Sequence, residues 1–315
     1  MHTFASFVFI LISAHFLVEF VQHGVAAVAV NFTANAETGA MMRRKKRMTG
    51  LLMSWHAQTA IGAPLTAYNN EFPFVVSIRV RRTHLCGGAI VSAFHVLTSS
   101  VCCMDVEPLA ETAATVVAGS HRLLESDENE QSRKIASVSI HPRQLKVSGA
   151  LYAYDACIAK LGKGLRLDET VSPVPLQPAL PYMGTRFMPG TAAASLVCAG
   201  WGSFGPTHAV LSNYLQRMVF RVPQYEQQLI ACRDIQGFDL ETMMCISGSP
   251  LLGKHMCRGD MGNPLVAASS ATGNVELVGI ASSILGCGRT PTVFVSVNAL
   301  ADWIQSEISN KLPVK

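Results

Sequence analysis

Residues 72 to 81 read FPFVVSIRVR, with Phe74, Val76, Ile78 and Val80 alternating with Val75, Ser77, Arg79 and Arg81. A period of two places alternate side chains on opposite faces, which is the pattern of a β-strand. Comparable short runs follow: SLVCAGWG at 195 to 202, LQRMVFRV at 215 to 222, VELVGIAS at 275 to 282 and TVFVSV at 292 to 297. Gly, Pro and Asn separate them, as turns require. Only NALADWIQSEI, near the end, reads as a helix, because Leu300, Trp303, Ile304 and Ile308 share one face. Many short strands and one terminal helix predict an all-β chain built as barrels or a sandwich. No internal repeat or low-complexity tract interrupts this texture.

The first 60 residues are different. Residues 1 to 29 are apolar and end in small residues, which predicts a secretory signal peptide cut between Ala26 and Val30. Its first residues carry no Lys or Arg, and His15 and Glu19 interrupt the apolar run. No later stretch is long and apolar enough to span a bilayer, so no membrane span is expected once the signal is removed. An exported chain with nine cysteines is expected to form disulfides, and the odd count leaves at least one thiol over. Asn31-Phe32-Thr33 is a glycosylation sequon, usable on an exported chain.

Residues 30 to 60 read as a propeptide or linker. The run RRKKR at 43 to 47 cannot pack and must be solvated, so processing after Arg47 by a furin-like convertase is expected. Those five cations are a fifth of the 25 in the chain. The first 47 residues also hold two of its 21 acids, leaving 20 cations against 19 acids in the rest. So balanced a body gives nucleic acid no compositional foothold.

Eight ordered segments then carry a resemblance: FPFVVSI, CGGAIVSAFHVLTSSVC, YDACIAKL, CAGWG, CRGDMGNPL, GIASSILGCG, PTVFVSV and ADWI. In order and spacing they resemble the chymotrypsin-like serine proteases over residues 61 to 310. The resemblance implies two six-stranded Greek-key β-barrels with a C-terminal helix, and a cleft between the barrels, with residues 61–315 as the protease-like domain. That family attacks with a serine, deprotonates it with a histidine and orients the histidine with a buried aspartate. The histidine motif T-A-A-H-C is matched by Thr98-Ser99-Ser100-Val101-Cys102, so Val101 stands at the base position. Asp155 stands at the aspartate position. The motif G-D-S-G-G-P is matched by Gly259-Asp260-Met261-Gly262-Asn263-Pro264, so Met261 stands at the nucleophile position, within an oxyanion frame of Gly259 and Met261.

A thioether has no ionisable proton and a valine cannot act as a base. No catalytic set is therefore expected, and Asp155 is expected to be a structural carboxylate. His95, Ser99, Ser100, Cys103 and Cys157 offer no replacement, His95 being read as a packed strand residue. The resemblance puts His255 at the floor of the specificity pocket and Ile284 and Thr292 on its walls, where β-branched residues narrow it. The activation segment corresponds to Ile61-Gly62-Ala63-Pro64 after Ala60, where trypsin-like cleavage is not expected, so Asp260 is expected to lack the new ammonium that would pair with it.

The resemblance also implies the disulfides Cys86–Cys102, Cys232–Cys245 and Cys257–Cys287. It leaves Cys103, Cys157 and Cys198 open. Glu125 to Glu130 reads as a solvated acidic loop, and no metal or cofactor is expected. The whole implies a secreted, extracellular protein that binds rather than cuts, resembling arthropod members of immune or reproductive secretions. Its expected partners are extracellular proteases or their substrates and inhibitors. An active endopeptidase with an unusual centre and a carrier protein of a secretion are the alternatives.

Overall fold

The computed structural model describes residues 66–149, 151–176, 195–204, 210–221, 230, 232–246, 256–268, 275–284, 287 and 291–309. The expectations at 1–29, Asn31, Arg47, Ala60–Pro64 and His255 lie outside the described residues.

The β-branched run Val75–Val80 forms β1 and turns at Arg81-Arg82 into β2, Thr83–Ile90. Strands β3 His95–Thr98, β4 Ala114–Ala118, β5 Gln131–Ile140, β6 Leu145–Ser148, β7 Leu151–Ala153 and β8 Cys157–Leu161 follow. Six of them close a barrel in the order β1-β2-β3-β8-β5-β4, while β6 and β7 pair as a separate hairpin. Every rung of the barrel is antiparallel. Inside lie Val76, Ile78, Ile90, Val96, Val116, Ile135 and Leu161.

The second sheet contains β9 Ser195–Gly200, β10 Gln216–Arg221, β11 Met243–Ile246, β12 Pro264–Ala268, β13 Val275–Ile284 and β14 Thr292–Ser296. Its order is β10-β9-β12-β13-β14-β11, and β10 and β11 do not pair with each other among the described residues. Among the described residues the second half is thus a barrel-like six-stranded sheet, the second of the two six-stranded units that the resemblance implies. Leu196, Cys198, Met218, Phe220, Leu265 and Phe294 fill it.

A third apolar cluster joins the two sheets. Phe72, Phe74, Leu97 and Ile158 from the first half meet Val197, Trp201, Val266 and Ile280 from the second. The terminal helix Val297–Ser309, here α2, lays Leu300 and Ile304 into this cluster, with Trp303 and Ile308 half-buried beside them. Lys160 on β8 pins the helix by pairing with Glu307 over 2.7 Å.

Sequence reading missed an element: Ser100–Val106 is a seven-residue helix, α1. Ser99 caps it, its side chain accepting from the amide of Cys102 at 3.2 Å, as a helix start favours. Two cysteines and two valines in seven residues give neither helix propensity nor a readable period, which hid it.

The disulfides are Cys86–Cys102, Cys103–Cys157, Cys232–Cys245 and Cys257–Cys287. Cys198 is in none of these four disulfides and is buried within the second core. Cys103–Cys157 joins α1 to the first residue of β8, and so links the two segments that carry Val101 and Asp155.

Candidate functional site

Asp155 sits in the turn between β7 and β8 and is 1% exposed. Its Oδ1 accepts from the Ser100 amide at 2.7 Å, the Ser100 hydroxyl at 2.5 Å and the Val101 amide at 3.3 Å. Its Oδ2 accepts from the Ser282 hydroxyl on β13 at 2.6 Å. One carboxylate therefore ties the first barrel, α1 and the second sheet together. Burial raises its pKa, and the four hydrogen bonds, led by the hydroxyls of Ser100 and Ser282, oppose that rise. Ser100 is thus spent on Asp155, and Ser99 on the helix cap.

Val101 occupies the first turn of α1, half-buried, with its amide on Asp155. His95 lies on β3 opposite Lys160, and its Nδ1 meets the Ser92 hydroxyl at 2.7 Å. Burial, then the Lys160 charge, lowers its pKa, while Glu307 raises it. Its partners are on its own side of the barrel, and Asp155 is not among them.

Met261 is carried by a tight loop. Gly259 has φ +91° and Gly262 φ +78°, backbone that a side chain at either position would strain. The Gly87 amide donates to the Met261 carbonyl at 2.8 Å, and the Gly262 amide to the Ala281 carbonyl at 2.8 Å. His84 fixes Gly259: its Nε2 donates to the Gly259 carbonyl at 2.9 Å, so its Nδ1 accepts from the Ser77 hydroxyl at 2.8 Å. The amides of Gly259 and Met261 find no acceptor among the described residues. The Met261 side chain is half-buried and packs on the core of the first barrel.

Asp260, expected to lack a new ammonium, is held by donors of the chain body. Its Oδ1 accepts from the Gly202 amide and from Asn263 Nδ2, each at 2.9 Å, and its Oδ2 from the Cys257 amide at 3.0 Å. The Asn263 side chain lies between Gly87 on β2 and Gly200 on β9, where a Cβ on either glycine would overlap it. The signal was present in the sequence, since the motif has glycine where Asn263 stands.

Of the pocket residues, Ile284 on β13 and Thr292 on β14 are direct cross-strand partners. Thr292 is half-buried. Cys257–Cys287 ties the Met261 loop to the segment after β13. In the acidic loop, Asp127 accepts from the amides of His121 and Arg122, at 2.6 and 3.0 Å, and from Arg122 Nε at 3.0 Å. Burial alone would raise its pKa, but these bonds hold it low. No group of three or more His, Cys, Asp or Glu side chains suited to a metal occurs among the described residues.

A closed six-stranded barrel, a second barrel-like sheet and a glycine-framed loop facing a buried aspartate across their junction define the trypsin-like serine protease fold. The family profile described as Trypsin matches residues 64–304, and the chain belongs to that family. It is 29% identical over 247 residues to trypsin-1 of Astacus astacus, covering 75% of this chain and 94% of that one. It is 29% identical over 254 residues to ovochymase-2 of Mus musculus, covering 76% of this chain and 39% of that one. It is 28% identical over 254 residues to transmembrane protease serine 9 of Rattus norvegicus, covering 80% of this chain and 22% of that one. The chain thus spans well under half the length of these last two relatives.

Proposed function

We propose that this chain is a secreted, non-catalytic member of the family that acts by binding, as a cofactor, decoy or regulator of extracellular proteolysis. The observation that carries the reading is Val101 and Met261 on a frame that is still held: Asp155 is bonded to both halves, the Met261 loop is fixed, and neither side chain at the reacting positions has an ionisable proton. Loss of the nucleophile or the base alone costs on the order of 10^6 in turnover, and loss of both costs little more. The partners proposed are extracellular proteases, their substrates or their inhibitors. Four disulfides suit an oxidising compartment, and among the described residues no helix is long and apolar enough to cross a membrane.

The test is active-site labelling of purified, processed protein with a fluorophosphonate, alongside turnover of a broad peptide library. No labelling and no turnover above background are expected. Turnover that co-purifies with the chain and is lost on labelling would overturn the reading.

A further inference from the structure

The terminal helix α2 rests on two buried histidines of the first barrel. His95 on β3 stands directly opposite Lys160 on β8, and directly paired residues of an antiparallel ladder share a face. Lys160 in turn pairs with Glu307 of α2, so that face is the one the helix covers. His95 is 5% exposed. Its Nδ1 is taken by the Ser92 hydroxyl at 2.7 Å, and its Nε2 is buried without a hydrogen-bond partner. His141 follows the last residue of β5. Its ring meets Trp303 of α2 edge-on at 4.8 Å and stacks on Tyr154 at 4.8 Å. Trp303 and Glu307 are four residues apart, on one side of the helix and a turn from each other. Successive turns of α2 are thus seated, one over His141 and the next over the His95–Lys160 pair.

Such a seat accepts a neutral imidazole and rejects an imidazolium. The charged groups acting on His95 are Lys160 and Glu307. Around His141 they are Arg143 and the Tyr154 hydroxyl, and the Arg143 guanidinium lies 4.1 Å from the Tyr154 ring centre. Burial is the larger cost of charging either ring, and the neighbouring cation adds to it, Lys160 at His95 and Arg143 at His141. Glu307 alone favours a proton on His95, and it is already paired with Lys160. At His141 the Arg143 amide donates to Nδ1 at 3.2 Å, a bond that a doubly protonated ring cannot accept.

We infer that α2 is a proton-operated latch: protonation of His95 and His141 lifts it from the first barrel before either sheet unfolds. A lifted helix lets water reach both rings and returns them towards the ordinary imidazole pKa of about 6.5. The lifted state therefore binds protons that the docked state excludes. Docking is at full strength above about pH 6.5 and weakens as pH falls towards 4. Release uncovers Leu300 and Ile304 and opens the apolar cluster that both halves share. It also reaches the candidate site, because the His141 amide donates at 3.0 Å to the carbonyl of Ala156, the neighbour of Asp155. The inference goes beyond the binding function proposed above and holds whether or not the chain is catalytic.

The test is hydrogen exchange of the full processed chain at about pH 7.5 and about pH 4.5, corrected for the intrinsic pH dependence of amide exchange. Protection of the α2 amides should fall by about tenfold or more on acidification, while amides of β9 and β12 change by less than about twofold. The key variant is His95→Asn with His141→Phe. Asparagine can still meet the Ser92 hydroxyl and phenylalanine can still meet Trp303, but neither takes up a proton. In this variant α2 should keep its protection to within about threefold between the two pH values. His121→Asn removes a third histidine of lowered pKa, one that packs on Tyr214 rather than on α2, and should leave the response of α2 as in the parent. An α2 indifferent to pH, sheets that lose protection together with α2, or a response that survives the double change would each overturn the inference. Should the double variant not fold, the ring titrations of the parent decide by NMR. Both rings must titrate below the ordinary value of about 6.5, and an ordinary titration of either one with α2 still protected overturns the latch.

Discussion

Asn263 Nδ2 donates to Asp260 Oδ1 across 2.9 Å, and both residues are fully buried. The amide fills the gap between two strands from different halves of the molecule because Gly87 and Gly200 leave room for it. Gly200→Ala is therefore expected to destabilise severely, since its methyl would overlap the Asn263 amide, and the added Asn263→Gly change should recover part of the loss. Asn263→Gly alone should cost roughly 2–3 kcal/mol, through a missing charge-assisted bond and an unfilled gap. Urea unfolding of the four forms checks this, and additive losses would show that the two positions do not share space.

Arg217 Nη1 pairs with Glu71 Oε1 over 2.9 Å, with the side chains 1% and 2% exposed. The Tyr68 amide also donates to Glu71, and the Arg217 guanidinium lies 5.3 Å from the Tyr68 ring centre. The pair fastens the segment before β1 to β10. Arg217→Leu strands a buried carboxylate and is expected to cost about 3–5 kcal/mol. The double change Arg217→Leu with Glu71→Leu should recover much of that. Denaturant midpoints of the two variants decide the matter.

The strands and the terminal helix were legible because their apolar period is local, as Val76 and Ile78 or Leu300 and Ile304 show. What escaped the sequence is long-range or unperiodic. Glu71 and Arg217 are 146 residues apart, and Ser282 reaches Asp155 from 127 residues away. Helix α1 is too short to display a repeat. Met261 and Val101 could be placed through their motifs, but the work done by Ser100, His84 and Asn263 depends on which loops meet, and composition does not report that.

Cys103–Cys157 closes a sequence separation of 54. The chain-entropy relation gives about 4 kcal/mol for a loop of that size, with measured values more often about 2–4. Replacing both cysteines by alanine should lower stability by that amount and loosen α1 against β8. Hydrogen exchange at Val101 and Cys102 is the local readout, and unchanged protection there would contradict a role in fixing α1.

His141 is 5% exposed, stacked at 4.8 Å on Tyr154 and edge-on at 4.8 Å to Trp303. Burial, reinforced by the Arg143 charge, lowers its pKa to about 4. Its folded pKa lies below its unfolded one, so protonation favours unfolding. The stability it contributes is whole above about pH 6.5 and is lost as pH falls towards 4, roughly 1–2 kcal/mol after solvent screening. His95 and His121 are lowered in the same direction. His141→Phe keeps the stacking and removes the proton, so it should flatten the fall in melting temperature between pH 6.5 and 4. A fall as steep as the parent's would assign the acid sensitivity elsewhere.

The last expectation concerns repair of the centre. Val101→His places an imidazole on the turn of α1 whose amide already bonds Asp155, and Asp155 Oδ2 accepts only from Ser282 among the described residues. A ring N–H can take the remaining lone pair and be oriented by it. Met261→Ser puts a hydroxyl on a loop held by Gly87 and His84, and the Asp260 carboxylate beneath it already has three donors from the body of the chain. The double variant should therefore react with a fluorophosphonate without cleavage before Ile61, and an engineered cut there should change its rate by less than about tenfold, well below the 10^2–10^3 lost with a displaced oxyanion donor. The expectation that Ile284 and Thr292, cross-strand partners, stand on the pocket walls further predicts feeble turnover on Arg, Phe and Ala reporters, since β-branched residues there would deny a long side chain its anchor and weaken transition-state binding. Labelling that depends wholly on the cut would show that Asn263 does not hold Asp260 in its working position, and trypsin-like efficiency on the Arg reporter would show that the pocket is open.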